Sequence, residues 1–154
     1  MKKSVCIAGA TGFTGSYVVK EFIGAHSYDL TLFVRNPDKI PQSYRSELTQ
    51  VVTGEFENGD SLKRALRNAD LFVCCASLCF GHAPVLVRAC EEAGVRRAVF
   101  ISTPAIFTQL TTSTKQVRLD AEEAIRNSSL QYTILRPTMI YGAPGDRNIE
   151  RLIK

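Results

Sequence analysis

The chain has 154 residues, enough for one domain with one core, and no repeat, linker or low-complexity tract divides it. Its 45% apolar and 22% charged residues are those of an ordinary soluble globular protein, and a net charge of +4 without any dense Lys/Arg run argues against a nucleic-acid surface. The first apolar run breaks at Gly9 and Gly12, too early for a secretory core or a membrane span, so the expected location is cytoplasmic, with no membrane partner.

In chain order, residues 4–8 form a short apolar run that ends in glycines, as a buried parallel strand does. From 13 to 22 apolar side chains recur at helical spacing (Val18, Val19, Phe22, then Ile23), with Gly24 near the end. Residues 30–34 predict a second strand and Asn36-Pro37-Asp38 a turn. A third strand is expected over 50–54, and Asp60-Ser61 are expected to cap a helix running to about residue 68. Residues 71–76 are apolar throughout, which predicts a central fourth strand. A helix over 84–93 has Pro84 near its first turn and Gly94 as its stop. Residues 98–102 predict a fifth strand, 114–127 a helix, 132–135 a sixth strand stopped by Pro137, and 146–154 a last helix.

Strands alternating with helices imply parallel pairing through right-handed crossovers. The expected fold class is therefore α/β, a doubly wound parallel sheet (Rossmann fold) in three layers, α/β/α. Its ligands bind at the carboxyl ends of the strands, near the point where strand order reverses.

The five cysteines show no C-x-x-C pair, and four of them lie in or beside apolar runs, which makes them small core residues. His26 and His82 have no acid or thiol cluster at ligand spacing, so no metal is expected. The chemistry instead gathers at Gly9-Ala10-Thr11-Gly12-Phe13-Thr14-Gly15, between the first strand and the first helix. Glycines there give a tight turn, close approach of backbone to a pyrophosphate, and close packing of helix on strand. The helix start then offers free N–H groups and a positive dipole end to the phosphates. Gly9, Thr11, Gly12, Phe13, Thr14 and Gly15 are thus candidate cofactor residues. After the second strand, where an NAD-binding domain carries an acid for the ribose, this chain has Arg35, then Asn36 and Lys39. A guanidinium holds a 2′-phosphate with paired charged hydrogen bonds, which favours NADP(H) over NAD(H).

The glycine loop and Val34-Arg35-Asn36-Pro37-Asp38-Lys39 resemble the atypical, NmrA-like branch of the short-chain dehydrogenase/reductase superfamily, with its NAD(P)-dependent epimerase-like members. Ala93-Gly94-Val95-Arg96-Arg97, and Tyr132-Thr133-Ile134-Leu135-Arg136-Pro137 followed by Tyr141-Gly142, extend the resemblance over essentially the whole chain. It implies Gly54, Glu55 and Phe56 beside the adenine, and Ala76 and Ser77 under the ribose and pyrophosphate. It implies Ser102 and Thr103 on the nicotinamide side, with Pro137 and Thr138 bordering the carboxamide.

Active members of that superfamily carry a helical Tyr-x-x-x-Lys, whose spacing puts both side chains on one helix face. The corresponding positions here are Thr114 and Arg118. A threonine hydroxyl is a far weaker acid than a phenol, so the usual proton transfer lacks its donor. Tyr132-x-x-x-Arg136 has the same spacing but lies on a strand, where four residues span about 13 Å and cannot act as a pair. Ser102, Thr103 and Arg118 remain as catalytic candidates. Two readings follow: an NADPH-dependent oxidoreductase or epimerase-like enzyme acting on a small molecule, or a non-catalytic, redox-sensing regulator of a protein partner. Members of this branch continue well past the Tyr141-Gly142 position, so the chain is expected to lack their C-terminal substrate-binding part.

Overall fold

Six strands, β1 (Lys3–Ala8), β2 (Tyr28–Val34), β3 (Gln50–Thr53), β4 (Leu71–Cys74), β5 (Arg97–Ile101) and β6 (Gln131–Leu135), form one sheet in the order β3-β2-β1-β4-β5-β6. All five pairings are parallel. The computed structural model describes residues 2–109, 112–143 and 146, so the helix expected over 146–154 lies outside the described residues apart from Asp146. Four helices accompany the strands: α1 (Phe13–Gly24), α2 (Gly59–Leu66), α3 (Ala83–Glu92) and α4 (Ser113–Arg126).

The alternation of side chains along β1 explains both the burial and the layers. Cys6 and Ala8 point to one face and Val5 and Ile7 to the other, and all four are fully buried. The first face packs against Leu62 and Leu66 of α2, Leu86 and Cys90 of α3, and Ala121 and Ile125 of α4. The second meets Val19 of α1 and Ile40 from the β2–β3 connection. A strand covered on both sides has no polar side to show, hence its continuous apolar sequence. Each large aliphatic side chain so buried stabilises the fold by roughly 1.5–3 kcal/mol.

β1 pairs with β2 on one side and β4 on the other, with Ala8 beside Phe33 and Cys74. From β1 the chain winds outward to β2 and β3, then crosses back to β4. The loops after β1 and β4 therefore diverge, and a crevice opens between them at the carboxyl edge of the sheet.

Local chemistry refines several boundaries. Asn58 caps α2, its side chain accepting from the Ser61 N–H at 3.2 Å, rather than Asp60 or Ser61. Ser61 instead donates its hydroxyl to the Asn58 carbonyl at 2.8 Å, while Asp60 sits in the first turn, where the dipole favours an acid. β4 ends at Cys74, not at residue 76, because the Cys75 N–H makes the last bond to Ala8 and the chain then turns across the crevice. Gly94 ends the α3 segment at φ +75°, a left-handed stop that a side chain would strain. The β2–β3 connection holds two 3-10 turns, Pro37–Lys39 and Gln42–Glu47, the second of which the sequence periodicity does not announce.

Candidate functional site

The loop after β1 is shaped by backbone contacts. Gly9 has φ +74°, and a Cβ there would lie 2.5 Å from the Ala76 nitrogen. A Cβ on Gly15 would lie 2.0 Å from the Gly9 carbonyl oxygen. That oxygen also accepts from the Gly12 N–H at 3.0 Å. Gly12 occupies the N-cap of α1, is exposed, and supplies no side-chain acceptor. The first turn carries no acidic residue either. The amides at the start of α1 therefore lack a protein side chain to satisfy them, which suits an anionic group.

Beside this loop lies a cleft of about 280 Å³ at the carboxyl edge of the sheet. It brings together Phe13 and Thr14 of the loop, Ala76 and Ser77 after β4, Ser102 and Thr103 after β5, Arg118 of α4, and Pro137 and Thr138 after β6. These residues span the chain from 13 to 138, and the parallel sheet assembles them by ending its strands on one edge. Cys75, Leu78, Ile101 and Ile140 also line the cleft, and their apolar sequence context gave no functional signal.

The two helical positions expected to replace a Tyr/Lys pair separate here. Arg118 lines the cleft, while Thr114 is exposed, is not among the lining residues, and accepts from the Arg118 Nη1 at 3.0 Å. Arg118 is the cleft's one ordinarily charged side chain among the described residues. Cys75 is there as a thiol, since burial pushes it up to about 11. Ser77 holds the turn after β4 by accepting from the Cys79 N–H at 3.4 Å, and Thr103 does the same for Ala105 at 3.3 Å.

The remaining candidates lie away from the cleft. Arg35, Asn36 and Lys39 are exposed after β2, and the Asn36 side chain accepts from the Asp38 N–H at 2.8 Å. Glu55 borders a separate hollow with Glu57, Asn58 and Asp60. Near Gly54, Phe56 stacks on the buried Phe33 at 5.7 Å between ring centroids and packs against His82 at 5.3 Å. Gly54 is held close there, since its Cβ would lie 2.2 Å from the Ser61 Oγ. Among the described residues, no group of three or more His, Cys, Asp or Glu is placed to hold a metal, and no helix is long and apolar enough to cross a membrane.

Sequence reasoning missed the most heavily bonded polar group at the site. Glu122 of α4 has a fully buried side chain. It accepts from the Ser102 Oγ at 2.7 Å, from the Arg136 Nε at 2.8 Å and from the Arg126 Nη2 at 2.6 Å, and also from the Arg136 Nη2. Burial pushes this carboxyl up, but the Arg136 and Ser102 hydrogen bonds and the charges of Arg136 and Arg126 outweigh it, holding Glu122 below the usual range. The hydrogen bond to Glu122 in turn raises Arg136. The available signal was an acid set between Ala121 and Ile125 on the inward face of the helix, with an arginine one turn away.

A parallel sheet of this strand order, with an uncapped glycine-lined helix start at its switch point, defines a Rossmann-type dinucleotide-binding fold. Residues 9–152 match the NAD(P)H-binding family, and the chain belongs to it. It is 27% identical over 179 aligned positions to an uncharacterized chloroplastic protein of Arabidopsis thaliana, covering 96% of this chain and 62% of that protein. It is 29% identical over 154 positions to a ceramide reductase of Caulobacter vibrioides, covering 92% of this chain and 47% of that protein. The chain thus spans roughly half to three-fifths of these relatives' lengths. Among solved structures it is similar to a short-chain dehydrogenase/reductase of Veillonella parvula in complex with NADP. That likeness has a TM-score of 0.82 and 25% identity, over 94% of this chain and 73% of that one. The expected fold and the resemblance to the short-chain dehydrogenase/reductase superfamily are both borne out.

Proposed function

We propose that this chain is the NADP(H)-binding part of a cytoplasmic, NmrA-like oxidoreductase or epimerase-like enzyme. The observation that carries the reading is the start of α1. Its amides have no side-chain cap, and Gly9 and Gly15 are packed so closely that only a backbone-lined cradle fits there. Such a cradle suits an anionic group that approaches the backbone closely, as a pyrophosphate does.

Gly12, Phe13 and Thr14 would bind the pyrophosphate, with Gly9, Thr11 and Gly15 setting the loop. Ala76 and Ser77 would support the ribose, and Ser102, Thr103 and Pro137 the nicotinamide end. Arg35, Asn36 and Lys39 would meet the 2′-phosphate, while Glu55 and Phe56 would flank the adenine. NADPH, when bound, supplies a hydride. Arg118 supplies a fixed positive charge that attracts the anionic parts of the ligand into the cleft.

No phenol, imidazole, ammonium or carboxylate lines the cleft among the described residues. The same observation favours a second reading, a regulator that binds the dinucleotide, senses its redox state and passes it to a protein partner. Loss of reduced-nicotinamide absorbance with quinones, aldehydes and nucleotide sugars separates the two. Turnover supports the enzyme. Tight NADPH binding with no turnover across that panel, in the protein carrying the remaining length of its relatives, supports the regulator, and no binding of either cofactor removes both.

A further inference from the structure

We infer that Glu122 fixes the Ser102 hydroxyl as a hydrogen-bond acceptor for the carboxamide N–H of the bound nicotinamide, which makes Glu122 a positioning residue of the cofactor site. The inference rests on the NADP(H) reading above and deepens it.

A serine hydroxyl has one proton to donate and lone pairs to accept with. The Ser102 proton is committed, because the Oγ donates to the Glu122 Oε1 at 2.7 Å. Reversing that bond requires a protonated Glu122. Two guanidiniums oppose this, since Arg126 and Arg136 both donate to the same carboxylate. The carboxylate is fully buried, so no water competes for its oxygens. Ser102 lines the cleft with only lone pairs to offer. It cannot polarise a carbonyl or protonate an alkoxide, and it calls for a donor.

The nicotinamide end of the cofactor carries two kinds of donor, the ribose hydroxyls and the carboxamide N–H₂. On the assigned pose the ribose lies towards Ala76 and Ser77, after β4. Ser102 follows β5, one strand further along the edge, and its own N–H bonds the Leu135 carbonyl of β6 at 2.7 Å. Pro137 and Thr138 come just after β6 and line the same cleft. The carboxamide is the donor on that side. Glu122 joins the end of β5 through Ser102, α4 through its own backbone, and the end of β6 through Arg136.

The test uses three ligands. NADP⁺ has the carboxamide, its 3-acetylpyridine analogue has a methyl in place of the donor N–H₂, and 2′,5′-ADP lacks the nicotinamide end. Their affinities are measured by calorimetry for the wild-type chain, Ser102→Ala and Glu122→Gln. The wild type is expected to bind NADP⁺ about fivefold more tightly than the analogue, the effect of one hydrogen bond. Ser102→Ala is expected to bind the two equally. Glu122→Gln, which replaces one acceptor oxygen by a donor N–H₂ and so lets the hydroxyl turn, is expected to weaken the preference. All three proteins keep the same affinity for 2′,5′-ADP. A merely structural role for Glu122 would lower all affinities together and leave the NADP⁺-to-analogue ratio unchanged, which would overturn the inference. So would a wild type without preference, or a preference that survives in Ser102→Ala, a small change that decides the matter even where Glu122→Gln does not fold. A wild type that binds neither NADP⁺ nor 2′,5′-ADP would remove the cofactor reading itself, and this inference with it.

Discussion

A side-chain carbon on Gly15 would stand 2.0 Å from the carbonyl oxygen of Gly9. Both partners are backbone, so neither can swing aside, and α1 has to move away from β1 to admit even a methyl group. Gly15→Ala is therefore expected to destabilise the fold by about 1–3 kcal/mol or more, the usual cost of overpacking. Gly12 is different, because its Cβ would meet only the Gly9 oxygen, at 3.2 Å. Gly12→Val should fold but lose at least about tenfold in NADPH affinity, or ~1.4 kcal/mol, as the side chain enters the space for the pyrophosphate. Thermal melting and NADPH titration check the pair. A Gly15→Ala protein that melts with the wild type would overturn the packing argument.

Acid stability should depend on Glu122. In the folded chain its carboxyl is held below the ordinary value of 4.5, whereas in the unfolded chain it returns to that value. The stability this contributes is complete above the unfolded value and is lost as pH falls through it towards the lower folded one. Glu122→Gln should cost about 1.5–3 kcal/mol at neutral pH, because it weakens the charged hydrogen bonds that the buried carboxylate accepts from the partly exposed Arg126 and Arg136. It should also show a shallower loss of stability than the wild type below about pH 4.5. Urea unfolding at a series of pH values measures both, and parallel pH profiles for the two proteins would contradict the assignment.

The sheet was legible because residues 5–8, 30–34 and 72–74 of β1, β2 and β4 are buried on both faces and are apolar but for Thr31. The glycine loop was legible because its residues answer to backbone geometry within seven positions. Arg118 was found through the resemblance, which implies a helical pair at 114 and 118, but the resemblance does not say that the arginine enters the cleft while the threonine stays exposed. Glu122 was missed for a related reason. Its partners Ser102 and Arg136 lie 20 and 14 residues away, at the ends of two neighbouring strands. Only the register of β5 on β6 brings them under one carboxylate. The cap of α2 was misassigned by two residues because Asn58, Asp60 and Ser61 are all good capping residues, and the preceding loop decides which is used.

Cys75 lines the cleft, yet should react slowly. Burial pushes its thiol up to about 11, so at pH 7 only about one molecule in ten thousand carries the thiolate. Cys6 and Cys74 are pushed up to about 12 and are buried in the core. Cys79 is the expected first site of alkylation by iodoacetamide, with Cys75 following slowly. Peptide mapping after brief labelling reads the order. Cys75 modified as fast as Cys79 would mean that the cleft wall opens in solution.

Cofactor choice should reside in Arg35. It is exposed after β2, where an NAD-binding domain carries an acid, and Lys39 adds a second exposed charge nearby. NADPH should bind at least about tenfold more tightly than NADH, since one charged hydrogen bond contributes roughly 1.5–3 kcal/mol. Arg35→Ala should weaken NADPH much more than NADH, and the preference should shrink with added salt because the charge is exposed. An Arg35→Ala effect shared equally by both cofactors would show that the residue does not read the phosphate.

The last prediction concerns the helix that would carry a proton-transfer pair. Thr114 and Arg118 stand four apart on α4, but only Arg118 lines the cleft, and Thr114 instead accepts its guanidinium at 3.0 Å. A phenol at position 114 would begin on the exposed side of that contact. Thr114→Tyr with Arg118→Lys should therefore fold normally and show no strong reductase activity, because positioning supplies several kcal/mol of any barrier reduction and the pair alone does not provide it. Arg118→Met is the informative companion. It removes the cleft's charge while keeping much of the side-chain volume, so NADPH affinity should fall several-fold, and by less at high salt. Both variants are assayed by cofactor titration and by hydride transfer to the same substrate panel. Robust activity in the double variant would place position 114 at the reacting atoms, and unchanged NADPH affinity in Arg118→Met would take the arginine out of the site.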